Sequence, residues 1–266
     1  MTRIIVVTSG KGGVGKTTTT SNIGMALATL GSKTVLIDAD VGLRNLDLLL
    51  GLENRIVFTG ADVLSGECKL EQALIKDKRQ PNLMLLPACR NQSNDSITKE
   101  QLKKLIELVD NLVDFILIDC PAGIEEGFQV AISVATEALI VTTPEIAAVR
   151  DADRVIGILD ANNIKTVSLI LNRIRPKMVR ANDMMSVEDV SEILSIPLIG
   201  VIPEDECVII STNRGEPLVI NSTASNPGIA FEHTARRVNG EIVEFLDIES
   251  LGKNPIKKLL KRFSKP

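Results

Sequence analysis

Short apolar segments alternate with amphipathic ones along most of the chain. Runs of Val, Ile and Leu bounded by polar residues predict strands over residues 3–8, 33–38, 83–87, 114–119, 137–142, 166–171 and 197–202. Helical periodicity between them predicts helices over residues 16–30, 98–112, 125–135, 146–162, 186–194 and 226–246. Most of the strands are apolar throughout, which is typical of a sheet covered on both faces. The pattern therefore predicts an α/β fold with a mostly parallel sheet flanked by helices.

One domain can hold all of these elements. The chain has 266 residues, of which 44% are hydrophobic and 24% charged, as in an ordinary globular protein. No repeat or low-complexity linker interrupts residues 1–246. Gly252, Asn254 and Pro255 favour a tether over residues 247–255. We therefore expect a domain over 1–246, a tether, and a separate terminal segment over 256–266.

Charge is distributed unevenly along the chain. The net charge is −4, but residues 253–266 contain six basic residues and no acidic one. The first 252 residues therefore carry −10. The net negative charge of residues 1–252 argues against a general affinity for nucleic acid. The basic terminus needs a separate explanation.

The basic terminus has the pattern of an amphipathic helix. Four apolar residues fall at helical spacing, with basic residues around them. The apolar residues are Ile256, Leu259, Leu260 and Phe263, and the basic ones are Lys257, Lys258, Lys261, Arg262 and Lys265. This composition predicts a helix that lies in the interface of an anionic membrane. A tail that packs on its own domain or stays solvated, and a tail that binds nucleic acid, are the alternatives.

Cysteine usage and hydropathy narrow the class of protein. The four cysteines are dispersed and form no C-x-x-C pair, which favours reduced thiols over a metal or iron–sulfur site. No signal peptide is expected, because the first apolar run leads straight into a glycine-rich loop. No apolar run approaches the ~18 residues of a membrane-spanning helix.

A phosphate-binding loop follows the first predicted strand. Residues 10–17 match the Walker A pattern G-x-x-x-x-G-K-[ST]. Glycines let backbone N–H groups approach phosphate, Lys16 is placed to contact the β- and γ-phosphates, and Thr17 offers a hydroxyl to Mg²⁺. We expect the nucleotide contacts of this segment to come from Gly10, Lys11, Gly12, Gly13, Val14, Gly15, Lys16, Thr17 and Thr18.

A second lysine, Lys11, lies early in the same loop. The Walker A pattern does not require it, and Lys16 already serves the nucleotide of its own chain. A further cation this close to a polyphosphate is explained if it serves a nucleotide held by another subunit. The loop therefore indicates dimerisation driven by nucleotide as well as nucleotide hydrolysis.

Acidic residues close two further predicted strands. Asp38 is the last residue of the predicted strand 33–38, and Asp40 follows two residues later. Asp119 is the last residue of the predicted strand 114–119 and precedes Pro121 and Gly123. Ligands of open α/β sheets collect at such strand ends. Asp119 suits a Walker B carboxylate, and a helix cap or solvated loop residue is the alternative reading of any one of the three.

These motifs resemble the deviant Walker A family of P-loop ATPases (the ParA/MinD family), and most closely its division-site-selecting members. The resemblance covers the whole chain, including the basic terminus. It implies that ATP and Mg²⁺ are the cofactors and that Lys11 reaches the phosphates of a partner subunit. It also implies that Lys16 and Asp40 act with Lys11 in catalysis, Asp40 by orienting the attacking water. Thr17, Asp38 and Asp119 would support the metal.

The same resemblance implies partners and a location. The partners would be a second copy of the chain, anionic lipids, a MinC-like division inhibitor and a MinE-like activator, with no specific nucleic acid. Arg44 and Asp153 are the expected partner surface. The location would be the cytoplasmic face of the inner membrane, in exchange with the cytoplasm, or the stroma and inner envelope if the host compartment is a plastid.

The strand over 166–171 ends near residues that favour adenine as the base. A guanine reader would need an Asp three residues after Asn172, and that position is Arg175. Asn172 is the expected reader, as the resemblance also suggests, with Pro203 and Glu204 nearby; a simple turn residue is the alternative.

Other functions fit the sequence less well. A ParA-like ATPase that partitions DNA or cargo needs a basic body, whereas residues 1–252 are acidic. A metabolic ligase or kinase gains nothing from a basic amphipathic terminus, and an iron–sulfur carrier needs clustered cysteines. A membrane scaffold without hydrolysis is disfavoured by the complete set of acidic residues.

Overall fold

A computed structural model of the chain describes residues 1–40, 45–89 and 97–247. Three predictions lie outside these ranges: the placement of Arg44, most of the tether, and the amphipathic segment 256–266.

The described residues form one eight-stranded sheet. Its strands are β1 (Arg3–Thr8), β2 (Thr34–Asp38), β3 (Ile75–Lys76), β4 (Leu83–Pro87), β5 (Phe115–Asp119), β6 (Glu137–Thr142), β7 (Thr166–Ile174) and β8 (Leu198–Pro203). The strand order is β3-β4-β2-β5-β1-β6-β7-β8, and only β3 pairs antiparallel with its neighbour. All seven predicted strands are confirmed. The prediction missed β3, because a strand of two residues carries no period-2 pattern.

Eleven helices surround the sheet in the described part of the chain. They are α1 (Lys16–Thr29), α2 (Leu46–Leu49), α3 (Gly60–Leu64), α4 (Leu70–Ala73), α5 (Lys99–Val109), α6 (Glu126–Ile132), α7 (Ile146–Ala161), α8 (Pro176–Arg180), α9 (Val187–Leu194), α10 (Glu206–Arg214) and α11 (Asn226–Val238). Two 3₁₀ segments lie at Glu53–Arg55 and Leu218–Ala224. The six predicted helices are present. The five that were missed are short or, like α10, bury none of their residues.

The prediction of a helix over residues 226–246 is wrong in its last part. The helix ends at Val238, and Gly240 takes a left-handed φ of 92° that reverses the chain. Residues 241–247, called the strap below, then run back without regular structure. Arg237 holds the strap through hydrogen bonds to the carbonyls of Val243 (2.9 Å) and Ile199 (3.0 Å). The helical periodicity of the sequence did not reveal that Arg237 holds the strap by hydrogen bonds.

The core has two layers, one on each face of the sheet. Neighbouring residues of β1 point to opposite faces, so Val6 packs in the layer under α5, α6, α7 and α9, while Ile5 and Val7 pack under α1 and α11. Phe128 of α6 and Phe231 of α11 are fully buried, one in each layer. This burial on both faces explains why the strands are apolar throughout.

The strand register places the predicted acidic residues together. Asp119 of β5 is paired in register with Asp38 of β2 on one side and with Val7 of β1 on the other. The three strands are parallel, so their carboxyl ends meet at the same edge of the sheet. The loop after β1 leaves from this edge.

Arg79 joins parts of the fold that are far apart in sequence. Its guanidinium donates to both carboxylate oxygens of Asp77, at 3.0 and 2.6 Å. It also donates to the carbonyls of Leu50 (2.6 Å) and Gly215 (2.9 Å), which end α2 and α10. Gly51 and Gly215 pack so closely that a Cβ on Gly215 would lie 2.7 Å from the Cα of Gly51. Arg79 thus links the region after Asp38 to the helix that follows β8.

Replacing Arg79 with alanine is expected to lower the free energy of unfolding by about 3–5 kcal/mol. The side chain of Asp77 is only 1% exposed, so its charge would lose its partner inside the protein. Urea denaturation would measure the loss. Arg55→Ala is the control, because Arg55 donates to one carbonyl and lies at the surface. Equal effects of the two substitutions would show that the Arg79 contacts contribute little.

Candidate functional site

The Walker A loop curves from the end of β1 into the first turn of α1. Gly13 and Gly15 have left-handed φ values of 78° and 99°, which residues with a Cβ rarely adopt. At Gly10 a Cβ would lie 2.3 Å from the backbone oxygen of Asp151, so the loop packs directly on α7. The first turn of α1 contains no acidic residue. The positive end of the helix dipole is therefore available to an anion, as a phosphate site requires.

The two lysines of the loop lie in different environments. Lys16, at the start of α1, is 9% exposed. The Lys11 side chain is 45% exposed, and its Nζ lies 3.4 Å from Oε2 of Glu145, whose side chain is 59% exposed. An ion pair this exposed contributes little to stability. Lys16 is thus built into the loop, whereas Lys11 lies at the surface beside the start of α7.

Asp119 lies under the first turns of α1. It is 2% exposed, and the hydroxyl of Thr20 donates to its Oδ1 at 2.9 Å. Burial raises the pKa of Asp119 to about 6; hydrogen bonds from Thr17 and Thr20 and the charge of Lys16 oppose this shift. The structure therefore brings the predicted Walker B carboxylate to the hydroxyl-bearing start of α1.

Asp38 lies beside Asp119 at the same sheet edge. Its carboxylate accepts from the backbone N–H groups of Asp40 and Leu46, each at 3.1 Å. Burial, followed by the charge of Asp119, raises the pKa of Asp38 to about 8. Asp40 is two residues further on and half-buried. All three predicted carboxylates thus lie at the edge from which the Walker A loop leaves.

The donor set fits a magnesium ion. Mg²⁺ prefers oxygen ligands and is usually bound through one or two carboxylates together with phosphates and water. Two buried carboxylates with raised pKa values, next to the Thr17 hydroxyl, provide such oxygens and are short of positive charge. Thr17, Asp38 and Asp119 therefore remain the predicted metal-supporting residues.

The carboxylate pair predicts a dependence of stability on pH. The folded protein keeps protons on Asp38 and Asp119 at pH values where the unfolded chain, with a pKa near 3.8, has released them. The nucleotide-free protein should therefore lose several kcal/mol of stability as pH rises from about 4 to 8, since a pKa difference of one is worth about 1.4 kcal/mol. Urea denaturation at several pH values would measure this. Asp38→Asn should flatten the dependence and Asp160→Asn, at an exposed position, should not; an unchanged slope in Asp38→Asn would contradict the assignment.

Asn172, near the end of β7, contacts the Walker A loop. Its Nδ2 donates to the carbonyl of Val14 at 2.8 Å, and Asn172 is 6% exposed. A Cβ on Gly15 would lie 2.3 Å from that same nitrogen. Asn172 therefore braces the loop, a contact that sequence reasoning missed because it joins residues 158 positions apart. Its role as the adenine reader stays a prediction.

The end of β8 provides the second part of the expected base site. Pro203, Glu204 and Asp205 line a cavity of about 450 Å³. Glu204 forms an ion pair with Arg175, which lowers the pKa of the Glu204 carboxyl. Because β7 and β8 are neighbours, this cavity and Asn172 lie toward the same edge of the sheet.

One of the two predicted partner residues can be placed. Asp153 is exposed on α7, two residues after the Asp151 that packs on Gly10. Asp153 thus belongs to the helix that packs on the Walker A loop. His233, the only histidine in the sequence, is partly buried on α11.

Comparisons with known proteins identify the family of the chain. The CobQ/CobB/MinD/ParA nucleotide-binding domain matches residues 5–218. The chain is 68% identical to a Guillardia theta protein named for septum site determination (MinD), over 99% of this chain and 98% of that protein. The MinC:MinD cell division complex of Aquifex aeolicus gives a TM-score of 0.85 at 50% identity, covering 92% of this chain and 98% of the other.

A further solved structure adds a ligand. MinD of Pyrococcus horikoshii in complex with Mg-ADP is 35% identical, with a TM-score of 0.81, and covers 90% of this chain and 96% of that one. The relatives thus match the described fold almost from end to end. The chain belongs to the CobQ/CobB/MinD/ParA family of nucleotide-binding proteins and, within it, to the septum site-determining MinD ATPases.

Proposed function

We propose that the chain is a Mg²⁺-dependent ATPase that dimerises around ATP and attaches to a membrane as a dimer. On the membrane it recruits a division inhibitor and so positions the site of division. ATP hydrolysis, stimulated by a partner, separates the dimer and releases it. The membrane would be the inner membrane at its cytoplasmic face, or the inner envelope in a plastid.

The contrast between Lys11 and Lys16 carries this proposal. Lys16 is buried at the start of α1, and the Walker A pattern assigns it to the phosphates of its own nucleotide. Lys11 is nearly half exposed, and its described partner is the weakly held Glu145. Its side chain can leave Glu145 at little cost and reach the phosphates bound by a second copy of the chain.

The chemistry agrees with this arrangement. Phosphoryl transfer depends on positioning and charge compensation, so a lysine supplied in trans can act like an arginine finger, worth ~10³–10⁵ in rate. Bound Mg²⁺ would neutralise charge on the phosphates, with Thr17, Asp38 and Asp119 supporting it. Asp40, at the same edge, would orient the attacking water. The backbone of residues 10–15 would hold the phosphates.

Partner binding is proposed near the nucleotide edge. A MinD relative forms a complex with MinC, and Asp153 of this chain is exposed on α7, the helix that packs on the Walker A loop through Asp151. We propose that Asp153 and Arg44 contribute to a surface for a MinC-like inhibitor and a MinE-like activator. A partner bound to the helix that packs on the loop could influence catalysis through that helix.

Membrane attachment is assigned to residues 256–266, tethered by 247–255. No helix among the described residues is long and apolar enough to span a membrane. Burying four large apolar side chains is worth roughly 6–12 kcal/mol, whereas ordering about ten residues costs on the order of 10–20 kcal/mol. Anionic lipid returns about 1 kcal/mol per basic residue. One tail is thus close to break-even, and two tails on a dimer gain avidity.

Co-sedimentation with vesicles tests the proposal. The full chain should pellet with anionic vesicles when ATP and Mg²⁺ are present and stay in the supernatant with ADP. Removal of residues 253–266 should abolish pelleting and leave ATP turnover without lipid unchanged. Equal pelleting with ATP and ADP would contradict the coupling of attachment to nucleotide. Binding to duplex DNA by the ATP-bound protein, independent of the tail, would favour a ParA-like partitioning function instead.

A further inference from the structure

An apolar groove lies between α9 and the strap, away from the nucleotide edge. Its volume is about 520 Å³. Five apolar side chains line it together with Ser191, and two carboxylates stand at its side: Val187, Leu198, Val201, Phe245 and Leu246, with Glu188 and Asp247. The groove thus combines an apolar floor with acidic residues.

The wall of the groove that comes from the strap is fixed in place. The guanidinium of Arg237 lies 3.9 Å from the ring centroid of Phe245 and donates to the carbonyl of Val243. Arg236 forms an ion pair with Glu241 at 2.8 Å, at the start of the strap. Phe245 nevertheless remains 46% exposed. The ring of Phe245 is therefore held in a fixed position and offers its exposed part as an apolar contact surface.

The continuation of the chain supplies a matching occupant. Asp247, the last residue that the structure describes, itself lines the groove. Only residues 248–255 separate it from Ile256, and eight extended residues reach at most ~26–29 Å, far enough to return to the groove. Residues 253–266 carry +6, opposite in sign to the carboxylates of the groove. Position and charge therefore agree.

We propose that, away from a membrane, the apolar face of residues 256–263 docks in this groove. The groove and the lipid then compete for the same four side chains. The inference rests on the proposed membrane role of the tail and adds a regulation to it. With docking, the apparent membrane affinity is the intrinsic affinity multiplied by the fraction of tails that are free. A monomer whose tail is docked would thus bind the membrane more weakly than a monomer whose tail is free.

A single tryptophan can report docking in the full-length protein. The chain contains no Trp and no Tyr, so Phe263→Trp introduces one unique fluorophore. Without lipid its emission should be blue-shifted, and the shift should not depend on protein concentration. Adding Ser191→Phe, which fills the groove, should move the emission to that of an exposed indole. Glu188→Lys should move it in the same direction, and Glu192→Lys, an equal charge change on α9 outside the groove lining, should not.

Vesicle binding provides the second measurement. With ADP, Ser191→Phe and Glu188→Lys should each raise binding to anionic phosphatidylglycerol vesicles by about threefold to tenfold over the parent. Glu192→Lys measures how much of that gain comes from charge alone. Equal gains for Glu188→Lys and Glu192→Lys, with none for Ser191→Phe, would overturn the competition.

Two further outcomes separate the inference from the function on which it rests. Emission of a fully exposed indole without lipid, in a protein that still binds vesicles with ATP, overturns docking and leaves the membrane role intact. A blue-shifted indole that Ser191→Phe exposes, in a protein that never binds vesicles, supports docking and removes the membrane role. A blue shift that grows with protein concentration would place the tail in a second copy and overturn the proposal.

Discussion

Replacing Lys11 with alanine is expected to abolish ATP-dependent dimerisation and to lower ATP turnover by about 10³-fold or more. The Lys11 side chain is half exposed and forms one weak ion pair, so its loss should leave the fold of the protomer intact. Lys16 and the backbone of the loop remain, so each protomer should still bind nucleotide. The variant would lose only the positive charge that Lys11 of one protomer supplies to the phosphates bound by the other protomer.

Light scattering with ATP and Mg²⁺ would measure the dimer, and phosphate release would measure turnover. Glu145→Gln is the matched control, because it removes the same ion pair and keeps the lysine. It should retain both activities. A Lys11→Ala protein that dimerises like the parent would remove the trans role of the lysine.

Asp40→Ala is expected to bind ATP and dimerise but to hydrolyse ATP about 10²–10⁴ times more slowly. Asp40 lies two residues after the end of β2, and its backbone N–H donates to the carboxylate of Asp38 at 3.1 Å. Alanine keeps that N–H, so the metal-supporting carboxylates should stay in place. The substitution would remove the carboxylate proposed to orient water.

Single-turnover hydrolysis would measure this effect. Asp160→Ala, which removes an exposed carboxylate far along α7, should hydrolyse at the parental rate. Parental turnover in Asp40→Ala would assign the orientation of water to another group. Loss of nucleotide binding in Asp40→Ala would instead mean that Asp40 supports the nucleotide site itself.

The sequence predicted the parts of the fold that depend on local patterns. The buried strands are continuous apolar runs, and the Walker A loop follows one of them, so both could be recognised without coordinates. Asp38 and Asp119 could be assigned to one sheet edge for the same reason, since each ends a strand. Their direct pairing in register could not, because strand order is a property of the whole sheet.

Contacts between residues distant in sequence were the part that patterns did not reveal. Asn172 bracing Val14 and Arg79 joining the ends of α2 and α10 depend on tertiary packing alone. The end of α11 was predicted too late because charged and apolar residues continue at helical spacing beyond Gly240. There the left-handed glycine and the Arg237 contacts override the period.

The most direct test of the account is the mass of the nucleotide-bound protein. Asp40→Ala is expected to hold ATP without cleaving it, so size-exclusion chromatography with light scattering would be run on this variant with ATP and Mg²⁺, and again with ADP. The account predicts twice the mass of one chain with ATP, one nucleotide per protomer, and a single chain with ADP or after the further change Lys11→Ala. A single chain carrying uncleaved ATP and Mg²⁺ at high protein concentration would contradict it.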